Sequence, residues 1–169
     1  MAAETFTAFG KSFASEREAI ISLLDGIQVA ESCAGGALKA WAETSANPAL
    51  KGGLRMIAER EAYHGRVFAE RIRELGGECR ATLDAFSRET EACIRDTTLT
   101  DLEKLTRLVE RNGDPETLLR PILEFADNLT EDPETRELLR LFHADEMSSG
   151  TWFRTMRRTL AEEAMPQAA

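Results

Sequence analysis

Two proline turns, Asn47-Pro48 and Asp132-Pro133, stand 85 residues apart, and at that one offset much of the chain falls on itself without a gap. Leu54 falls on Leu139, Ile57 on Phe142, Glu61 on Glu146, Gly65 on Gly150, Phe68 on Phe153 and Arg73 on Arg158. In the tract before each turn, Leu23 falls on Leu108, Leu38 on Leu123 and Glu31 on Glu116. Leucine matches follow from any shift by whole helical turns, but the proline turn, the acids and the glycines do not. A chain written this way carries one helical hairpin twice, with its halves related by a pseudo-two-fold axis.

The tracts on either side of each turn have helical periodicity. From Ser15 to about Ser45, apolar residues at Ile20, Leu24, Ile27, Ala34, Leu38 and Trp41 keep steps of three and four, with Glu31 in the gap. Asn47 caps and Pro48 opens a second helix that runs to Gly76-Gly77. Its apolar face carries Leu54, Ile57, Phe68, Ile72 and Leu75, interrupted by Glu61 and His64. The more polar stretch after Gly77 reads as a crossover, with a short helix around Leu83, Phe86 and Ile94. Two more tracts follow. Thr100 to Leu129 has a break or kink at Asn112 to Pro115, and Glu134 to Glu163 has Glu146 and Ser149 in the gap of its stripe. No strand-like alternation of any length is present. The expectation is a single all-α domain over residues 1–169: an arm (1–14), a first hairpin (15–76), a crossover (77–98) and a second hairpin (99–163). Together these describe a four-helix bundle of two antiparallel hairpins.

Thirty acidic residues against 21 basic ones give a net charge of -9, which argues against nucleic acid and anionic membranes as partners. Neither a basic leader nor an unbroken apolar run is visible, so a cytoplasmic location is expected. Cys33, Cys79 and Cys93 form no C-x-x-C pair and fit free thiols in a reducing compartment. Phe6, Phe9 and Phe13, at helical spacing, suggest an apolar face for a homodimer.

Glu31 and Glu61 lie equally far from the first turn, roughly 22 Å along their helices, and so at one height. Glu116 and Glu146 are placed likewise about the second turn. Four carboxylates converging in a dry core cannot all ionise, and divalent cations remove the conflict. Oxygen donors supplemented by an imidazole suit iron or manganese, as one or two ions. Glu61 and His64, three residues apart, project from one face toward the same ion; alternatively they belong to a metal-free buried polar network. Glu116 also has two readings: a ligand if the helix continues through the kink, or a solvated first-turn acid behind an Asp114 cap if a new helix starts there. The run Ala34 to Ala37 either lets helices approach closely or leaves space beside Glu31 for a small oxidant.

Glu31, "EREAYH" with Glu61-x-x-His64, Glu116 and "DEMSSG" with Glu146 make the chain resemble the ferritin-like superfamily, in its rubrerythrin-like or bacterioferritin-like branch. The resemblance implies that Glu31 and Glu116 are terminal carboxylate ligands, Glu61 and Glu146 bridging ones, and His64 a nitrogen ligand. It also implies reaction of a reduced metal centre with dioxygen or peroxide. One position departs from the pattern: Ser149 stands where a second Glu-x-x-His would end, with His143 as another candidate donor. No rubredoxin-like cysteine pairs are present, so electrons would come from a separate donor. The alternative is a metal-free bundle of the same build, acting as a dimeric structural or interaction protein.

Overall fold

The computed structural model describes residues 5–165 and is all-helical apart from one small hairpin. Residues 1–4 of the expected arm, and 166–169, lie outside the described residues. Six helices follow in order among the described residues: α1 (Glu16–Thr44), α2 (Pro48–Glu74), α3 (Ala85–Arg95), α4 (Asp101–Asn112), α5 (Pro115–Asn128) and α6 (Pro133–Ala164). No helix among them is long and apolar enough to cross a membrane.

Side-chain caps set where the helices start. Ser15, Asn47, Thr100, Asp114 and Asp132 each accept a hydrogen bond from the backbone three residues on, and Pro48, Pro115 and Pro133 occupy first-turn positions. Gly76 ends α2 with φ +71°. The third long tract is broken, not kinked: Gly113 has φ +59°, and Asp114 caps a new helix. The arm is a correction to the sequence reading. Phe6–Ala8 (β1) and Lys11–Phe13 (β2) pair antiparallel around Phe9 and Gly10, both at positive φ. Such a two-residue turn matches the twist of its strands. Three-residue strands are too short to show a period, so phenylalanines at helical spacing misled. Phe6 and Phe13 pack on the chain's own core, and the Phe9 ring lies 5.2 Å from Phe125. Phe6 and Phe13 are thus partly buried within the chain, and Phe9 is 46% exposed.

α1 and α2 pack antiparallel, and two glycines set their separation. A Cβ on Gly35 would stand 2.9 Å from the Ala58 carbonyl oxygen, and one on Gly65 would stand 3.1 Å from that of Gln28. Gly150 of α6 is in the same position against Pro115 of α5, at 2.8 Å. Gly35 therefore permits close helix approach within the small-residue run, and Ala34 of the same run lines a cavity beside Glu31.

The two halves clamp each other reciprocally. Glu16, at the start of α1, accepts hydrogen bonds from the Thr130 hydroxyl and from the backbone N–H groups of Thr130, Glu131 and Asp132, at 2.9–3.2 Å. Asp101, at the start of α4, accepts from Ser45 Oγ at 2.8 Å and Trp41 Nε1 at 2.7 Å. Shifted by 85, Glu16 becomes Asp101 and Ser45 becomes Thr130, so one contact is made twice with its partners exchanged.

Two apolar cores result. One gathers Leu38, Trp41, Leu50, Leu54, Leu105 and Leu108; the other gathers Ile20, Leu24, Phe68, Ile72, Leu139 and Phe142. Along α1, α2 and α6 the passage from one core to the other crosses Glu31, then Glu61 and His64, then Glu146 and Ser149. The break between α4 and α5 falls between the cores as well.

Candidate metal centre

In that polar layer, Glu31 from α1, Glu61 and His64 from α2, and Glu146 from α6 each offer one donor atom, all within 4.8 Å of one another. Glu61 and His64 are neighbours because residues three apart share a helix face. Glu116 does not join them. It is exposed in the first turn of α5, where the positive end of the helix favours a carboxylate and the break turns it outward. His143 is half-buried and outside the cluster, and Tyr63 is 56% exposed. The three cysteines are free.

His64 is fixed at both ring nitrogens. Nδ1 lies 3.3 Å from Glu31 Oε2 and 3.7 Å from Glu146 Oε1, facing the cluster. Nε2 lies 3.1 Å from Asp145 Oδ2 on the opposite side. A carboxylate behind an imidazole fixes its tautomer and raises the basicity of the other nitrogen. Sequence reading overlooked Asp145, and also Arg60, whose guanidinium donates to Ser149 Oγ and lies 3.8 Å from Asp145 Oδ1. A signal for both was present: each directly precedes a glutamate of the cluster, and the 85-residue shift carries Arg60 onto Asp145.

Burial dominates the electrostatics. Loss of hydration pushes Glu31 up to about 8, with the charge of Glu146 adding to it. The same cause pushes Glu146 up to about 8, with Glu61 next in importance. Glu61 is raised well above the usual carboxylate range, first by burial and then by its hydrogen bond to Glu31. Arg60 works the other way on all three.

The residues fit a divalent cation. Three carboxylates and an imidazole form a mixed oxygen and nitrogen donor set, and Glu146 Oε1 is buried with no hydrogen-bond partner. No family model, no curated protein and no solved structure matches this chain. The chemistry of the layer therefore carries the functional argument. A cavity of about 180 Å³, walled by Leu38, Ile94, Leu108, Leu119 and Phe153, reaches Glu31, Glu61 and Glu146. A second, of about 520 Å³, lies among the N-terminal hairpin, α1, the crossover and α5, and also touches Glu31 and Glu146.

Proposed function

We propose that this chain is a ferritin-like four-helix metalloprotein that binds iron or manganese through Glu31, Glu61, His64 and Glu146 and reacts it with dioxygen or peroxide. The observation that carries the reading is the convergence of these four donors within 4.8 Å, between two apolar cores, with a buried oxygen of Glu146 left without a partner. A bound iron or manganese ion supplies the change of oxidation state such chemistry needs. The chain supplies the rest. Asp145 holds His64 with Nδ1 toward the carboxylates. Glu31, Glu61 and Glu146 give up their protons as the cation enters, and apolar walls beside them suit a small uncharged oxidant better than an ion.

A second reading has its own observation. His64 bridges Glu31 and Asp145, and Glu61 hydrogen-bonds to Glu31, so much of the layer is satisfied without metal. On this reading the chain is a metal-free bundle with a structural or interaction role. Metal analysis of protein purified without chelators separates the two. Iron or manganese near stoichiometry, lost in Glu61→Ala and His64→Ala, is expected for the first reading. Protein that stays metal-free after aerobic loading with ferrous iron would leave the second.

A further inference from the structure

The contacts of the polar layer repeat across the two halves, but with their chemistry inverted. Shifted by 85 residues, His64 becomes Ser149 and Arg60 becomes Asp145. The contact from His64 of α2 to Asp145 of α6 therefore corresponds to the contact from Ser149 of α6 to Arg60 of α2. One half-site has an imidazole backed by a carboxylate, an arrangement that attracts a cation. Its counterpart has a hydroxyl backed by a guanidinium, which is itself a permanent cation. The fourth acid follows the same division: Glu31 faces the cluster, whereas its counterpart Glu116 is exposed beyond the helix break.

We propose that the centre holds one divalent cation per chain, at the half-site of Glu31 and His64, and that Arg60, reaching from α2 to Ser149 of α6, supplies fixed positive charge at the counterpart half-site. This rests on the metal-binding reading above and narrows it from a pair of ions to one. Charge balance agrees. One divalent ion and the Arg60 guanidinium together match the charge of the three cluster carboxylates, and a second ion beside Ser149 would meet the guanidinium bonded there, a like-charge repulsion. Asp145 lies 3.8 Å from Arg60, but its side chain is 45% exposed and water shares its charge. The Arg60 side chain is 25% exposed and its buried Nε has no partner, so its charge is less screened.

The test is titration of chelator-treated full-length protein with manganese(II), counting bound ions per chain by equilibrium dialysis and recording the electron paramagnetic resonance spectrum. One ion per chain with the hyperfine pattern of an isolated ion is expected. Two ions, or the spectrum of an exchange-coupled pair, would overturn the role given to Arg60 while leaving the metal-binding reading intact. No bound ion would overturn both. The double variant Arg60→Gln with Ser149→His is expected to take up a second ion, doubling the count. A folded double variant that still binds one refutes Arg60 as the reason for the single ion. Should that variant fail to fold, the count and spectrum of the natural chain still decide the number of ions.

Discussion

His64 is held by carboxylates on both sides of its ring, and the two contacts have different work. Glu31 and Glu146 face the nitrogen that would meet a cation, while Asp145 sets the tautomer from behind. Asp145→Ala is expected to weaken manganese binding by about 10- to 100-fold without removing a ligand. A direct titration of affinity checks this, with thermal melting as the control for folding. The raised carboxyl groups make a second prediction. Glu31 and Glu146 move from 4.5 to about 8 on folding, so the metal-free fold binds more protons than the unfolded chain between those values. Stability of chelator-treated protein therefore falls as pH rises from about 5 to about 8. A loss of roughly 5 °C or more in melting temperature is expected across that range. Glu146→Gln, which cannot ionise, should flatten the dependence.

At the scale of the helices, glycine does two unlike jobs, and substitution separates them. Gly35 and Gly65 lie against the backbone of the facing helix, whereas a Cβ on Gly26 would meet nothing within 4 Å. Gly65→Ala is expected to cost about 1–3 kcal/mol through overpacking. Gly26→Ala, in the interior of α1, is expected to stabilise by up to about 1 kcal/mol. Urea denaturation of the two variants measures both signs. The break at Gly113 is the other decision at this scale. Because Asp114 caps α5, Glu116 lies in a first turn facing solvent, and the third long tract adds no carboxylate to the layer. The sequence was consistent with a kink that turned Glu116 inward as well as with this break. A glycine followed by Asp-Pro permits both, and in the structure Gly113 takes positive φ while Asp114 caps a new helix.

Across the whole molecule, the reciprocal clamps at Glu16 and Asp101 fix how one half sits on the other. α1 has 29 residues, so the clamps stand roughly 40 Å apart. Glu16→Ala strands three backbone N–H groups, and Asp101→Ala strands the indole of Trp41 and the hydroxyl of Ser45. Each change is expected to cost about 1–3 kcal/mol. At that separation the costs should add in the double variant, and denaturant unfolding tests the sum. In a Trp152→Phe background, which leaves Trp41 as the one indole, its fluorescence is expected to respond to Asp101→Ala and not to Glu16→Ala.

Helix positions, the close pairing of α1 with α2, and the candidates Glu31, Glu61, His64 and Glu146 were legible in the sequence. Each depends on a local period or on distance from a capped turn, and the chain carries both quantities along its own length. The β-hairpin, the outward turn of Glu116 and the roles of Arg60 and Asp145 were decided only by tertiary structure. Those features depend on which surfaces meet across the two halves, and a charge next to a buried acid in sequence faces water or the layer according to the helix packed against it.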